Sequence, residues 1–393
     1  MRDVVIVDSV RTGLAKSHRG SFNMTGPSDM CGHLIKALME RNPKVNPEDI
    51  GDCIVGTGLP EGPQGFNIGR IATIVGELPI SVSGQTVSRY CSSGLQAIST
   101  AANQIASGYD DVILAGGCET ISMLKTPNMT NAMNPVVGKA QPGIYMPMGQ
   151  TAETVAQRYD VTREAQDEMA LLSQQRVAAA QEQGLFNDEI IPMTVTYSKK
   201  DKMTGEVTQV ETTVDSDECN RPTTNIEGLA KLMPSFNPTG TVTAGNSSQL
   251  ADGASMCLLM SAEKAEQLGL EPKAYFRGFA VAGCSPDEMG IGPVFAVPKL
   301  LKAAGLSVDD IDIWELNEAF ASQAVYCRDK LGLDPAKLNP NGGSIAVGHP
   351  YGMTGSRLIG HASRELQRRK LKYAVITMCV GGGMGAAGLI EAC

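Results

Sequence analysis

The stretch Val112-Ile113-Leu114-Ala115-Gly116-Gly117 consists of apolar residues followed by two glycines, which is typical of a buried β-strand that ends in a turn. The segment Ser93–Ser107 precedes it, and its apolar residues recur at steps of three and four, as in an amphipathic helix. Further upstream, Val4–Val7 and Cys53–Val55 are strand-like, and Asp29–Glu40 between them is helix-like. This alternation predicts an α/β fold with a mostly parallel sheet.

The C-terminal part of the chain repeats this order at an offset of 261 residues. Tyr90-x-x-x-Gly94 corresponds to Tyr351-x-x-x-Gly355. The strand that leads to Cys118 corresponds to Tyr373–Ile376, which leads to Cys379. Because these matches share one offset, we expect two related halves of about 120 residues each.

The region between the halves differs in composition, being rich in Met, Pro, Asn, Thr and charged residues. It contains a predicted helix over Arg163–Gln183 and a predicted polar hairpin over Tyr197–Glu211. Inserted regions of this kind often form a lid or a binding domain. We therefore expect three parts: residues 1–120 plus 246–272 as the N-terminal half, 121–245 as a loop domain, and 273–393 as the C-terminal half.

The overall charge excludes several classes of protein. The 33 basic and 42 acidic residues give a net charge of −9, and no block of like charge marks a nucleic-acid-binding arm. The sequence contains no run of 18 apolar residues, so we expect no membrane-spanning helix. The N-terminus begins with a strand-like segment and lacks the pattern of a signal peptide. We expect a globular cytoplasmic protein without nucleic-acid partners or membrane insertion.

The chain has 10 cysteines and four histidines, with no CxxC pair and no Cys/His cluster. This pattern predicts reduced thiols, and it predicts neither a disulfide framework nor a metal site. Most free cysteines are small, buried, apolar residues. We expect that description to hold for eight of the ten.

Cys91 is the first of the two exceptions, because it lies between a predicted strand and a predicted helix in Ser88–Leu95. The first N–H groups of a helix have no backbone partner and carry a positive potential. We therefore expect a lowered pKa for the Cys91 thiol, which favours the nucleophilic thiolate. The alternative is an ordinary buried cysteine at the start of a helix.

Three further positions could carry chemistry. His349 lies between Gly348 and Pro350 in a turn-rich segment, where a neutral imidazole could serve as the base for a thiol or simply pack in a loop. Cys379 ends a strand, and the glycines after it would leave backbone N–H groups accessible to an oxyanion. Asn317, with the glutamate that follows it, could cap a helix or hold a catalytic water.

The segment Gly383–Gly388 matches the dinucleotide-binding pattern GxGxxG. That pattern must open a βαβ unit and be followed by an acidic residue about 20 positions later. The chain ends five residues after Gly388. We therefore interpret the segment as a glycine-rich turn.

In their order and spacing, four segments resemble the motifs of the thiolase family. They are Cys91-x-Ser93-Gly94, Asn317-Glu318-Ala319-Phe320, Gly348-His349-Pro350 and Cys379-x-Gly381-Gly382-Gly383. The resemblance extends from Val5 to Gly388. It implies a thiolase-like duplicated five-layer α-β-α-β-α fold, with an inserted loop domain that binds coenzyme A.

The resemblance also implies an acyltransferase reaction in which a 3-ketoacyl-CoA is cleaved with coenzyme A, or the reverse Claisen condensation. Cys91 would form the acyl-enzyme, His349 would accept its proton, and Cys379 would serve as acid and base. Asn317 would hold a water that shares one oxyanion hole with His349. The backbone N–H groups of Cys91 and Gly381 would form the other hole.

The family match further assigns three residues to substrate binding. Arg221 would lie near the adenine and phosphates of coenzyme A, Ser248 near its pantetheine, and Met148 along the acyl pocket. The family uses coenzyme A and acyl-CoA as substrates, with no prosthetic group and no metal. It also implies a homodimer or a homotetramer.

Several departures from the family pattern bear on substrate range. Ser88 stands where many members have Asn, Pro147 stands where short-chain enzymes usually have His, and residues 121–145 lack a basic, His-containing loop. These differences favour a broader 3-ketoacyl-CoA thiolase over a strict acetoacetyl-CoA enzyme. The alternatives are a ketoacyl-synthase-type condensing enzyme and a non-catalytic acyl-CoA-binding scaffold.

Overall fold

The structure, a computed structural model, describes residues 2–124 and 133–393. Residues 125–132, which fall within the predicted insertion, lie outside the described residues. The strands in chain order are β1 (Val4–Arg11), β2 (Ala15–Lys16), β3 (Ile50–Gly56), β4 (Gln85–Val87), β5 (Val112–Glu119), β6 (Met193–Lys200), β7 (Val207–Val214), β8 (Ala251–Ser261), β9 (Ala274–Gly283), β10 (Ile313–Leu316), β11 (Tyr373–Val380) and β12 (Met384–Ala392).

The described α-helices alternate with these strands in both terminal parts of the chain. They are α1 (Pro27–Arg41), α2 (Ile68–Val75), α3 (Ser93–Ala106), α4 (Pro135–Ala140), α5 (Met148–Arg158), α6 (Arg163–Glu182), α7 (Ile226–Ala230), α8 (Ala262–Leu268), α9 (Pro293–Ala304), α10 (Ala321–Leu331), α11 (Ser344–Val347) and α12 (Tyr351–Arg369). The helices predicted from periodicity, α1, α3 and α6, are confirmed to within two residues at each end.

The main sheet has the strand order β10-β11-β12-β9-β1-β8-β5-β3-β4, with β2 paired to β8. Among the described strands of this sheet, β3–β4, β3–β5 and β10–β11 are the parallel pairs, and the other pairs are antiparallel. The prediction of a mostly parallel sheet is therefore wrong. One reason is that the short turn Gly381–Gly383 joins β11 directly to β12, and a connection this short can join only antiparallel neighbours.

The duplication is confirmed by the sheet itself. In the N-terminal half, β3 is parallel to β5, and β5, β8 and β1 follow as antiparallel neighbours. In the C-terminal half, β10 is parallel to β11, and β11, β12 and β9 follow in the same way. The two halves are joined at the β1–β9 pair, in the registers Val5↔Tyr275 and Ile6↔Ala274.

Three buried clusters show how the layers stack. Alternate residues of a strand face opposite sides of its sheet. Val112 and Leu114 of β5 accordingly pack with α1 and α2, while Ile113 packs with α3 and α12. On β11, Ile376 faces the same central helices, and Val375 faces α9 and α10. The order is helix, sheet, helix, sheet, helix, which confirms the predicted five layers.

The segment between β5 and β8 leaves the sheet and returns to a neighbouring position in it. It carries α4 to α7 and the separate β6–β7 hairpin. The hairpin turns where the sequence predicts, at Met203-Thr204-Gly205, and Gly205 adopts a φ of +76°. This positive φ is easily reached by a glycine.

Candidate active site

The predicted reactive residues meet where strands end and helices begin. Asn317 follows the last residue of β10, and its backbone N–H donates to the Thr377 carbonyl of β11 at 2.9 Å. Because β10 and β11 are parallel, their carboxyl ends lie at the same edge of the sheet, the usual place for sites in α/β proteins. Cys379 lies near the end of β11.

Cys91 belongs to a short 3₁₀ turn, Tyr90–Ser92, which leads directly into α3. The Ser93 hydroxyl donates to the Tyr90 carbonyl at 2.6 Å and accepts from the Arg89 N–H at 2.9 Å, which fixes this turn. Cys91 is half-buried as a residue. Its thiol is enclosed and faces the backbone N–H of Gly381.

The expected lowering of the Cys91 pKa is wrong. Burial raises the pKa of the thiol to about 12, and the Glu119 carboxylate raises it further. The N–H groups of Gly381 and of Cys91 itself act in the opposite direction, as anticipated for a helix start, but burial outweighs them. The thiol is therefore protonated at neutral pH in the free protein.

His349 is held by a set of buried hydrogen bonds. Its Nδ1 lies 2.6 Å from the Thr354 hydroxyl, and its Nε2 lies 3.3 Å from the Asn317 amide nitrogen. The Asn317 amide oxygen accepts from the Ser344 hydroxyl at 2.6 Å. The His349 backbone N–H also donates to the Gln249 carbonyl at 2.9 Å, so both the ring and the backbone are fixed.

The imidazole of His349 is neutral at physiological pH. Burial lowers its pKa to about 3, and the buried guanidinium of Arg357 on α12 acts in the same direction. A neutral ring retains one unprotonated nitrogen, which is what a base needs. Gly348, just before it, has a φ of +103°, and a Cβ there would approach the Ala251 Cβ to 2.7 Å, so the turn requires glycine.

Cys379 is fully buried, in a small cluster that includes Ala319 and Phe320 and against which Met148 packs. Burial raises the pKa of its thiol well above the ordinary value, and the nearby Cys91 raises it further. The two thiols thus lie close enough to influence each other's ionisation, as the motifs predict.

The glycines after Cys379 form a tight turn. Gly382 and Gly383 have φ values of +81° and +83°, and a Cβ on Gly383 would lie 2.5 Å from the Cys284 carbonyl oxygen. A Cβ on Gly381 would instead meet the Tyr90 ring and the Met148 sulfur at 3.6–3.7 Å. Gly381 therefore borders the space between these side chains and Cys91.

Glu318, the residue after Asn317, has a structural role. Its buried carboxylate accepts from the Ser173 hydroxyl at 2.6 Å and from the Asn339 amide at 2.8 Å. A Cβ on Gly343 would approach its Cδ to 2.3 Å. The carboxylate also accepts from the backbone N–H of Ile345, in the first turn of α11, at 3.3 Å, so it ties α6 to α11 and to the segment before it.

The predicted coenzyme A residues divide into two groups. Met148 begins α5 beside Gly381, and the Ser248 N–H donates to the Ala319 carbonyl at 3.0 Å, so both lie beside the Cys379 cluster. Arg221 is exposed, and its backbone N–H donates to the Gln174 side chain at 2.8 Å. Arg221 is therefore not brought into contact with the thiols.

Arg221 instead belongs to a local basic patch, which we define as Lys16, Arg19 and Arg221. The pKa of Lys16 is lowered by burial, then by Arg221 and, to a lesser extent, by Arg19. These three cations therefore cluster on a protein whose net charge is −9.

Four residues around the site were missed by sequence reasoning: Glu119, Ser344, Tyr351 and Thr354. The Glu119 carboxylate accepts from the backbone N–H groups of Gly58 and Gly352, both at 2.7 Å, and so fastens the start of α12. The Tyr351 ring lies edge-on to His349, with 5.1 Å between ring centroids. Tyr351 and Thr354 are signalled in the sequence only by their proximity to His349. Glu119 and Ser344 make their contacts with distant parts of the chain.

The other cysteines differ in their exposure, and the GxGxxG match lies at the start of a strand. All ten cysteines are free, as expected. Cys284 is half-buried and Cys393 is exposed, so the expectation of eight buried, inert thiols is wrong for these two. The GxGxxG match lies mostly in β12 and opens no helix, so its interpretation as a glycine-rich turn is wrong for all but Gly383.

Within residues 2–124 and 133–393, no group of three or more His, Cys, Asp or Glu side chains is arranged to hold a metal ion. No helix in the same described ranges is long and apolar enough to cross a membrane.

Two family models match the chain. "Thiolase, N-terminal domain" matches residues 4–263, and "Thiolase, C-terminal domain" matches residues 270–392. Together these matches include Cys91, Asn317, His349 and Cys379.

Similar proteins of known name match over almost their full length. The chain is 44% identical to 3-ketoacyl-CoA thiolase of Bacillus subtilis (strain 168), covering 100% of both chains. It is 45% identical to the peroxisomal 3-ketoacyl-CoA thiolase of Homo sapiens, covering 99% of this chain and 91% of that protein. The crystal structure of the Bacillus anthracis acetyl-CoA acetyltransferase superposes with a TM-score of 0.89 at 37% identity, covering 100% and 99%.

Proposed function

The chain belongs to the thiolase family, and we propose that it cleaves 3-ketoacyl-CoA with coenzyme A to acetyl-CoA and a shortened acyl-CoA, or runs the reverse condensation. The observation that carries the proposal is that two thiols, Cys91 and Cys379, interact with each other, and that Tyr351, which also interacts with Cys91, packs edge-on against the neutral imidazole of His349. A ketoacyl synthase uses a single cysteine, so the second thiol favours a thiolase.

In the first half of the reaction, the Cys91 sulfur attacks the 3-keto carbon while its proton passes to Nε2 of His349. Because the thiol has a raised pKa and the imidazole a lowered one, the resting pair is neutral. Proton transfer therefore accompanies the attack and does not precede it. The bond between C2 and C3 then breaks, leaving the acyl group on Cys91, and the Cys379 thiol protonates the departing acetyl-CoA carbanion.

In the second half, coenzyme A resolves the acyl-enzyme. Its thiol gives a proton to the Cys379 thiolate and attacks the thioester carbonyl on Cys91. The Cys91 sulfur leaves and recovers its proton from His349, which restores the starting state of all three groups. In the condensation direction, Cys379 removes the α-proton of acetyl-CoA.

Two donor sets are proposed to stabilise the oxyanions. Once protonated, Nε2 of His349 becomes a donor, and a water held by the Asn317 amide, 3.3 Å from Nε2, would share this oxyanion hole, as the family pattern implies. The backbone N–H groups of Cys91 and Gly381 both point at the Cys91 sulfur, which supports their role at the thioester carbonyl.

We propose that residues 121–245 form the loop domain that holds coenzyme A, with the basic patch at its phosphates. Cys219, two residues before Arg221, lies 3.3 Å from the Cβ position of Gly348, the neighbour of His349. A ligand reaching from Arg221 past Met148 and Ser248 would therefore end near the thiols. Acetyl-CoA, acyl-CoA and coenzyme A are the only small molecules that this proposal requires.

The experiment that tests the proposal is a chain-length series of 3-ketoacyl-CoA substrates with free coenzyme A, comparing kcat/KM. Thiolytic activity, with an acyl adduct mapped to Cys91 by mass spectrometry, would support it. Coenzyme A binding without turnover of any substrate would indicate a scaffold. Condensation from an acyl carrier protein without thiolysis would indicate a synthase.

The basic patch has its own test. We expect Arg221→Ala to raise the KM for coenzyme A about tenfold with little change in kcat, because the arginine would contact only the nucleotide end. Lys330→Ala, an exposed cation on α10, is the matched control and should leave KM unchanged. Equal effects of the two variants would remove Arg221 from the binding site.

A homodimer or homotetramer is proposed from the face that carries α2 and the edge strand β4. Large apolar side chains are exposed there, with Phe66 at 96% and Ile80 at 78% of full accessibility, beside the half-exposed Ile74. Contiguous apolar surface next to an unpaired strand is typical of a subunit interface. Light scattering of the wild type and of Ile74→Glu tests this, since the variant should dissociate.

A cytoplasmic location is also proposed, and the ten free cysteines support a reducing compartment. Relatives named as peroxisomal show that the family is not confined to one compartment. Fractionation of the native host would test the proposal.

A further inference from the structure

The hydrogen bonds around His349 form one continuous chain. The Ser344 hydroxyl donates to the Asn317 amide oxygen at 2.6 Å, and the Asn317 amide nitrogen lies 3.3 Å from Nε2 of His349. Nδ1 of His349 lies 2.6 Å from the Thr354 hydroxyl, which donates to the Pro350 carbonyl at 2.9 Å. All five residues are buried.

The direction of each bond follows from the groups at its ends. The Thr354 hydroxyl has two neighbours that can accept its single proton, the Pro350 carbonyl and Nδ1 of His349. When the proton lies on Pro350, the Thr354 oxygen accepts from Nδ1 of His349, which then carries a proton. At the other end, the Ser344 hydroxyl occupies the amide oxygen of Asn317, so the Asn317 NH₂ group faces Nε2, which must be the acceptor.

We propose that Thr354 is a positioning residue of the thiolase reaction, which holds His349 in the Nδ1–H tautomer so that Nε2 carries the lone pair that receives the Cys91 proton. Ser344 completes the arrangement by orienting the Asn317 amide. Neither residue touches the reacting atoms. The inference rests on the proposed function of His349 as the base, and the tautomer itself can be measured without any turnover.

The hydrogen bonds of Thr354 indicate which group would lose its partner if the hydroxyl were removed. It lies on the first turn of α12, five residues after His349, and its own backbone N–H also donates to the Pro350 carbonyl at 3.1 Å. Removing the hydroxyl therefore leaves that carbonyl with a donor. Nδ1 of His349 is the group that loses its partner, and a buried N–H without an acceptor is unfavourable.

Thr354→Val is the informative variant, because valine keeps the branched shape and removes only the oxygen. Thr354→Ser restores the oxygen and is the matched control. Ser344→Ala tests the other end of the chain. Near-UV circular dichroism of each variant establishes that the fold is retained.

The first measurement is the tautomer of His349 by long-range ¹H–¹⁵N NMR of the full-length protein labelled in its four histidines. His349→Asn identifies the signal. The wild type and Thr354→Ser should show a single Nδ1–H form near pH 7.5. Thr354→Val should show the Nε2–H form or a mixture of both.

The second measurement is the rate at which Cys91 is acylated by acyl-CoA in a single turnover. We expect Thr354→Val to slow acylation about 10- to 100-fold with little change in KM for coenzyme A, and Thr354→Ser to stay within about threefold of the wild type. Ser344→Ala should slow acylation by a smaller factor, since Asn317 keeps its contact with His349.

The outcomes separate the inference from the proposed function. An unchanged tautomer and an unchanged acylation rate in a folded Thr354→Val variant would overturn the positioning role while leaving the thiolase reaction intact. If the wild type lacks thiolase activity, the NMR comparison still decides whether Thr354 sets the tautomer. A Thr354→Ser variant as slow as Thr354→Val would also contradict the inference, because the oxygen would then be irrelevant.

Discussion

Cys118 and Cys379 occupy corresponding positions in the two halves of the molecule, 261 residues apart. Cys118 pairs with Ala254 across the β5–β8 ladder, and Cys379 pairs with Gly385 across the β11–β12 ladder. Both are fully buried, and burial contributes to a raised pKa for both thiols. The same strand position therefore carries a buried cysteine in both halves.

The surroundings of the two thiols differ. Cys118 lies in the large cluster beneath α1, where its thiol contacts that of Cys31. The next residue, Glu119, turns its carboxylate onto backbone N–H groups and closes the strand end. Cys379 lies in a small cluster with Met148 at its margin, and a glycine turn follows it.

Under the proposed function, strand position and burial are therefore not sufficient to make a cysteine reactive. Both thiols have another thiol beside them, Cys31 for Cys118 and Cys91 for Cys379. What distinguishes Cys379 is the following turn without side chains, which would let a substrate approach. Glu119 follows Cys118 at the position where the glycine turn follows Cys379. Its carboxylate would repel a carbanion and leaves no room for a substrate. Four experiments test this comparison.

The largest effect is expected from Cys91→Ser. The position equivalent to Cys91 in the other half is Gly352, so no second thiol can replace it. We expect kcat/KM for thiolysis to fall at least about a thousandfold, because serine is a far weaker nucleophile without a base matched to it. Peptide mapping should show that the acyl adduct disappears; an adduct on another cysteine would contradict the assignment.

Cys379→Ala and Cys118→Ala form a matched pair. Cys379→Ala should still be acylated at Cys91 but should lose α-proton exchange of acetyl-CoA by about 10²- to 10⁴-fold, the usual contribution of a general acid or base. Cys118→Ala should exchange at the wild-type rate. Deuterium incorporation followed by mass spectrometry measures both, and retained exchange in Cys379→Ala would break the comparison.

The ionisation of Cys91 predicts a pH dependence. Its pKa of about 12 lies above the accessible range, so the thiolate fraction should grow about tenfold per pH unit. Alkylation of Cys91 by iodoacetamide, located by peptide mapping, should therefore rise continuously from about pH 6 to pH 9 in the free protein. A plateau below pH 8 would instead indicate the low pKa that a helix start favours.

The smallest effect concerns stability. Cys118→Ala leaves a cavity in a continuous core and should lower the free energy of unfolding by about 1–2 kcal/mol. Cys379→Ala should cost less, because its small cluster adjoins the substrate pocket. Chemical denaturation of both variants measures the difference, and the opposite order would show that Cys379 is the more tightly packed position.

Much of the fold follows from local sequence patterns. Helix α3 and the hairpin turn at Gly205 were predicted closely, because apolar spacing and glycine preference act within a few residues. The five-layer fold and the duplication followed from the family resemblance and the common offset. The directions of the strands could not be predicted in this way, because β8 comes after a long insertion and no local signal shows that it pairs antiparallel to β5.

The site residues divide in the same way. Cys91, His349 and Cys379 are proposed as catalytic residues from the family motifs, and the predicted helix start after Cys91 and strand before Cys379 are present in the structure. The raised pKa of Cys91 was not predicted, because it depends on burial and on Glu119, which belongs to another strand. Thr354 was not predicted for a related reason. Its proposed role depends on hydrogen bonds to His349 and Pro350 whose direction is set only in the folded site.

The insertion between β5 and β8 affects how the chain is made. Strand β8 lies between β1 and β5, so the N-terminal sheet cannot close until residues 251–261 have been synthesised. At a translation rate of about 5–20 residues per second, residues 120–250 require roughly 7 to 26 seconds. During that interval the nascent chain presents the unpaired edges of β1 and β5, so the ribosome-bound protein depends on chaperones for longer than its compact final form would indicate.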